Sequence, residues 1–584
     1  MLDAPNPWEW AVLAGAVAGG VAARGAAWVR LPAWVRPPAL ASASERAGWW
    51  LDVVLVMGGL LTTLPAVLAL WRRLSPYGSP MGADADGNFL AAVALARDLP
   101  ALYPGDRYPG FAAIVAAVAP KATDLPAAGL WVSHTAAVVA ACCVYALGRR
   151  WHGRAAGVLA MLVYLRLPGV MDVGRQFTPY MVVAALDAAA LVLAGSLLDG
   201  RRAGIPLAVV CGMLFVMDAK QAPVALGLVA FGAITAAARR QWPAAVALSV
   251  AIPLANVWAG SLRVPIFSVD HIAERVNLGV TGQPEPDDGG FVLGRSLAAL
   301  PGSMLRLAQQ APTRPRSWFD PRVAPALAME FPRTTPIWLG FAAVAALAPL
   351  ARRRSPRRFA CLAEPALLLP YGALAVGVLH LHFQHRYFTA LSTLLVPLVV
   401  SGIGIVGGPG AVAGAAAVAL LLPASPWHAL APDVLGAPIG DAEPWAGVEP
   451  PDWTQSLAAA GAEFPADAEV FDYASSRPWT MLAAAFPYHR CASATANCGR
   501  LIATTVHTPV AIFVAEEGLS LSVPDARTAL RPLSPVSPSL VCWTRLYARP
   551  GQGGAYGWQC EGRPDGAVHR RLDAGLAPPV QAPG

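Results

Sequence analysis

The sequence predicts a polytopic α-helical membrane protein of about eleven spans, followed by a small C-terminal mixed α/β domain outside the cytoplasm. Three observations predict it. The first is composition: of 584 residues, 56% are hydrophobic and only 14% are charged, against about 25% charged in ordinary globular chains. Polar loops cannot give so apolar a body a water-facing surface, so the bilayer must be its solvent. The second is pattern: long apolar runs alternate with short arginine clusters. The third is a change at residue 424, where the long apolar runs stop and a Pro- and Gly-rich stretch with strand-like segments begins.

The apolar runs read as spans at 49–70, 127–148, 155–172, 177–198, 203–218, 222–238, 243–262, 336–350, 363–380, 388–406 and 409–423. A full crossing takes about 20 residues, so the shorter runs suit broken or re-entrant helices. Residues 8–23 are apolar but short, and Glu9 interrupts them. They read as an interfacial helix, with an extra span as the alternative. The first residues lack a basic region, so no cleavable signal peptide is expected.

Orientation follows from arginine, since Lys121 and Lys220 are the only lysines. Arg24, Arg30, Arg36 and Arg46 precede the first span. Other clusters are Arg149, Arg150 and Arg154; Arg201 and Arg202; Arg239 and Arg240; and Arg352, Arg353, Arg354, Arg357 and Arg358. Eleven spans put all of these on one side, the cytoplasmic one, with Arg72 and Arg73 as the main exception. Residues 1–48 then form a cytoplasmic or interfacial segment and 49–423 the membrane domain. Its outer loops are 71–126 and 263–335. Residues 424–565 form the outer α/β domain and 566–584 a disordered tail. The net charge of +7 is spread over these clusters and is no nucleic-acid signal. The composition fits a bacterial chain of the cytoplasmic membrane and cell envelope.

The outer domain shows strand-like runs at 469–473, 510–514 and 540–547 and a helical stretch around 476–486. It holds Cys491, Cys498, Cys542 and Cys560, whereas Cys142, Cys143, Cys211 and Cys361 lie in or beside apolar runs. An oxidising location predicts two disulfides among the first four, with three connectivities open.

The first outer loop carries the most chemistry. It opens with Asp84-Ala-Asp86-Gly-Asn-Phe89, read as an acid pair ahead of a short amphipathic surface helix. Tyr103-Pro-Gly-Asp106-Arg107-Tyr-Pro-Gly110 follows, then an apolar stretch. Acid pair, surface helix, Asp-Arg-Tyr-Pro, surface helix, span: this order resembles the first outer loop of the GT-C glycosyltransferases. Those integral membrane enzymes take a sugar from a polyprenyl-phosphate or dolichyl-phosphate carrier. The resemblance runs over roughly 49–407 and is closest to the lipid A aminoarabinose transferase branch, with protein O-mannosyltransferases more distant. Gly212-Met-Leu-Phe-Val-Met-Asp-Ala-Lys220 resembles that family's Gly-rich span ending in lysine. Val269-Asp-His271-Ile-Ala-Glu-Arg275 resembles a loop with His after an acid. His385-Arg386-Tyr387-Phe388 resembles the Arg-Tyr pair opening a late span. Tyr108 is an insertion relative to the family pattern.

The resemblance implies an inverting glycosyltransferase with Asp84 or Asp86 as general base. Arg107, Lys220, Arg386 and Tyr387 would bind the donor phosphate, and Asp106 and His271 are the candidate ligands for a divalent metal. The implied partners are a polyprenyl-phosphate-linked sugar, a lipid, glycan or protein acceptor, and the bilayer. Elementary chemistry agrees: a sugar on a lipid phosphate already has its leaving group, so the reaction needs a base for the acceptor hydroxyl and positive charge for the departing phosphate.

Plainer readings stand beside these. Asp-x-Asp-Gly also caps helices. Arg107 can anchor to headgroups, and Lys220 can snorkel from a helix end. Asp187, deep in a predicted span, is a functional candidate by position, with packing as the alternative. His380, His382 and His385 have no metal-ligand spacing. At the level of function, a lipid-linked-solute transporter or flippase and a catalytically inactive envelope-assembly protein are the alternatives. The acid pair separates them, because only transfer depends on it.

Overall fold

The computed structural model describes residues 14–21, 50–61, 83–99, 107–119, 121–167, 176–218, 221–262, 340–347 and 388–421. In the tail it describes 483–490 and six further strands, with a few isolated positions elsewhere. The first two helices are α1 (residues 14–21) and α2 (Trp50–Leu61). Then come α3 (Ala83–Ala96), α4 (Pro109–Val118), α5 (Leu125–His152), α6 (Arg154–Leu165), α7 (Tyr180–Leu198), α8 (Gly204–Met217), α9 (Ala222–Ala238) and α10 (Trp242–Ser261). Residues 340–347 form α11, and α12 is Phe388–Leu421. The protein is a multi-pass membrane protein.

Among the described residues, four helices are long and apolar enough to cross a bilayer: Ala122–His152, Tyr180–Leu198, Trp242–Ser261 and Thr389–Leu421. Six apolar helices are shorter, among them α6 and α8. The expected runs 388–406 and 409–423 are arms of one assigned helix, broken at Gly408 (φ 79°, ψ 177°) just before Pro409. Glycine adopts that φ without strain, and the proline removes a backbone donor, so the ladder fails there. Within the run 155–172, helix α6 ends at Leu165.

Arginines from two of the clusters meet acids and helix ends at one end of the bundle. Asp52 of α2 is 6% exposed. It accepts hydrogen bonds from Tyr145 Oη and Arg154 Nε, each at 2.8 Å, and pairs with Arg149 at 2.9 Å. Arg150 holds Asp199 with two nitrogens, at 2.5 and 3.2 Å. Arg239 donates to the Leu198 carbonyl, and Gln241 to that of Gly200. The bases at the C-terminus of α5 also complement its dipole. Asp52→Ala removes the shared acceptor of three groups, two of them partly exposed. It is expected to cost about 1–2 kcal/mol, read as a lower unfolding temperature in detergent. Arg150→Ala, which breaks a more exposed pair, should cost less than about 1 kcal/mol.

Residues 14–21 pack on the second arm of α12. The contact is made by Gly15-Ala-Val-Ala-Gly19 against Gly410-Ala-Val-Ala-Gly414, the same pentapeptide twice. A Cβ at Gly19 would strike the Gly410 carbonyl, and one at Gly414 would strike the Gly15 carbonyl. Small residues four apart let two backbones approach where lipid supplies no hydrophobic drive, which is why this pair meets.

In the tail, β1 (Glu469–Asp472), β2 (Tyr488–Arg490), β3 (Ala511–Glu516), β5 (Ala526–Leu530) and β6 (Leu540–Ala548) form one sheet in the order β2-β1-β3-β6-β5. β1 runs parallel to β2 and β3, and β6 antiparallel to β3 and β5. β4 (Ser520–Pro524) and β7 (Ala555–Gln559) make a separate antiparallel pair. Cys542 lies in β6. The other three tail cysteines, and most of the helical stretch expected at 476–486, lie outside the described residues.

Candidate functional site

The acid pair is in a helix, not in a loop before one. Asp84 and Asp86 occupy the first turn of α3, where a negative charge is favoured by the helix dipole. The helix that follows is not amphipathic. Phe89, Leu90, Ala91, Ala92, Val93 and Ala94 are each at most 2% exposed. A helix apolar on every side is a buried helix, and α3 sits inside the fold.

Aromatic contacts fix it there. Phe177, just before α7, meets Phe89 of α3 edge-on at 5.5 Å and Phe111 of α4 edge-on at 5.4 Å. Each such pair contributes about 0.5–1.5 kcal/mol beyond burial. At the far end, Leu99 N–H donates to the Ala94 carbonyl at 2.8 Å and Asp98 N–H to that of Leu95 at 3.5 Å. Asp98 takes the left-handed conformation, φ 51°. This is a Schellman stop with Asp where glycine is usual.

Arg107 returns to the start of this helix. Its guanidinium packs on Gly87, one residue after Asp86, and a Cβ there would collide with Nε and lie 3.0 Å from Cζ. Only glycine leaves that space. Arg107 Nε and Tyr108 Oη have essentially no solvent exposure, and Tyr103 Oη donates to the Arg107 carbonyl at 3.2 Å. Pro109 then opens α4 in the first helical positions, where its missing N–H costs nothing.

Helices α4, α8 and α10 enclose an apolar groove of about 430 Å³. Gly110 and Ile114 line it from α4, Met213 and Met217 from α8, and Leu254 and Trp258 from α10. Leu254 is 60% exposed, so the groove opens at the surface of the helix bundle. A Cβ at Gly110 would lie 2.7 Å from the Val216 carbonyl. The C-terminal end of α8, three residues before Lys220, therefore abuts the start of α4.

Lys220, Arg386, Tyr387, Asp106 and His271 lie outside the described residues. Among the described residues no three His, Cys, Asp or Glu side chains gather as a metal site. Asp187 is fully buried within α7.

Two arginines escaped the sequence reading. Arg166, just past α6, is 2% exposed and donates to the Ala419 carbonyl of α12 at 2.6 Å. The signal was an arginine inside the apolar run 155–172. Arg97, at the end of α3, donates to the carbonyls of Ala483 and Phe486 at 2.9 and 2.8 Å. Burial lowers its pKa from the usual guanidinium value.

No protein-family model matches the chain, and no curated protein matches it in sequence. The solved structures it resembles include the oligosaccharyltransferase of Archaeoglobus fulgidus in its apo form, at 13% identity and a TM-score of 0.40 over 74% of this chain. The chain spans 63% of that protein's length. They also include ArnT from Cupriavidus metallidurans bound to undecaprenyl phosphate, at 12% identity and a TM-score of 0.38, covering 85% of this chain and 98% of that one. The archaeal enzyme AglB with an inhibitory peptide and dolichol phosphate matches at 13% identity and a TM-score of 0.37, covering 75% of this chain and 64% of that one. These neighbours are glycosyltransferases of the GT-C fold, and the likeness is weak in both identity and TM-score.

Proposed function

We propose that the protein is an inverting membrane glycosyltransferase that moves a sugar from a polyprenyl-phosphate carrier to an extracytoplasmic acceptor. One observation supports this above the rest. The Arg107 guanidinium is seated on Gly87, in the first turns of the helix that begins with Asp84 and Asp86, and the helix that follows it, α4, lines an apolar groove with Gly110 and Ile114. A cation, a carboxylate pair and an apolar groove are what the donor and the reaction require.

In this reading the carrier's tail lies along α8 in the groove and its phosphate sits against Arg107, with Lys220, Arg386 and Tyr387 completing its contacts. Asp84 or Asp86 takes the proton of the acceptor hydroxyl. That oxygen attacks the anomeric carbon from the face opposite the phosphate, so the configuration inverts. The carbon–oxygen bond to phosphate breaks, and the electron pair leaves with the lipid phosphate, whose negative charge the cations hold. Arg107 matches the phosphate oxygens in pairs, and Lys220 acts as a point charge. Asp106 and His271 are the candidate metal residues, and no step runs through a metal. The tail and the first loop share the extracytoplasmic side, as the arginine clusters require.

Mass spectrometry of envelope glycans and glycoproteins in a deletion strain is expected to show one sugar modification lost and restored by the wild-type chain. An unchanged glycan profile would remove the transferase reading and leave the transporter or the assembly protein.

A further inference from the structure

Among the described residues of the tail, one short segment is seated in the membrane body. Ala483, Ala484, Phe486 and Tyr488 are each at most 5% exposed and belong to the same apolar core as Phe89 and Phe111. Tyr488 begins β2, the edge strand paired with β1, so the buried segment leads into the sheet without a linker. Its backbone carbonyls at Ala483 and Phe486 both accept from Arg97 Nη1.

Arg97 is the C-cap of α3, held by the Schellman stop at Asp98. α3 has 14 residues, a rod of about 21 Å, and the acid pair is at its other end. A charged donor that satisfies two backbone carbonyls of a distant segment fixes both partners, because leaving buried carbonyls unmet is costly.

We propose that residues 483–488 are a wedge of the C-terminal domain, latched by Arg97, that sets the position of α3. The tail is then part of the machinery that aims the acid pair, and Arg97 is a positioning residue. Its meaning for catalysis rests on the transferase reading; the latch itself does not.

Hydrogen exchange on the full chain in lipid nanodiscs tests the latch. Arg97→Gln, which shortens the arm and removes the charge, is expected to raise exchange about tenfold or more both at 483–488 and at 87–97, with α5–α7 unchanged. Phe486→Leu, a mild change, should do the same to a smaller degree. Arg97→Lys should restore protection only partly, since its ammonium sits on a shorter arm than the nitrogen that serves both carbonyls. A rise at 483–488 alone would show a tail that docks without holding α3, and would overturn the proposal. So would no change at either place, or a rise spread through α5–α7. Where transfer is measured, Arg97→Gln should lower kcat about tenfold with little change in KM for the donor, as a displaced base does. Failure to find transfer in the wild-type chain counts against the transferase reading, and the exchange result still decides the latch.

Discussion

Replacing Asp84 and Asp86 together by Asn is expected to lower sugar transfer by about 10²-fold or more. Asn keeps the size and most of the hydrogen bonding and removes only the base and its charge. Both residues lie in the first turn of α3, so the change also removes two charges that favour the helix dipole, at about 0.3–1 kcal/mol each. That cost is too small to unfold a bundle anchored by Phe89 and Phe177. Protein level and melting temperature should therefore hold while activity collapses. The single variants identify the base: the one that loses nearly the whole effect carries it. Full complementation of a deletion strain by the double variant would leave the pair as a helix cap and nothing more.

Arg107→Ala is expected to lower kcat/KM for the lipid donor by about 10- to 10²-fold, the equivalent of losing charge-assisted hydrogen bonds to phosphate. Gly87→Ala offers a separate handle. It leaves every charge in place, yet its methyl group meets the Arg107 guanidinium, which must move. Its effect should run in the same direction and be smaller. Arg107→Lys should restore little, because an ammonium does not reproduce the paired contact. Steady-state kinetics with donor and acceptor varied in turn separate the cases. A change confined to acceptor KM would take Arg107 out of the donor site.

The membrane body was largely legible because lipid demands long apolar helices with satisfied backbones. The edges of α8, α9 and α10 fall within a residue or so of the runs read at 203–218, 222–238 and 243–262. Strands β1, β3 and β6 likewise fall on the three strand-like runs. The misses have physical causes. Asp-x-Asp-Gly reads as a turn, since short polar side chains compete for local backbone, yet acids are equally at home in a first helical turn. The stretch Phe89–Ala96 looked amphipathic because polar residues flank it, although no polar residue interrupts it. Residues 8–23 were judged on length and on Glu9, while the informative signal was the spacing of Gly15 and Gly19. Arg97 could not be read at all. Its partners are main-chain carbonyls nearly 400 residues away, and a carbonyl leaves no mark in a sequence.

The twin glycine pentapeptides set an order for assembly. The helix at 14–21 emerges from the ribosome early, but the surface it fits lies at 410–418. At about 5–20 residues per second, synthesis leaves it waiting for tens of seconds. During that interval it has only lipid, or an insertion chaperone, to cover its bare backbone face. Among the described helices, the last to be made thus closes over the first, while the chain beyond Leu421 is still being synthesised.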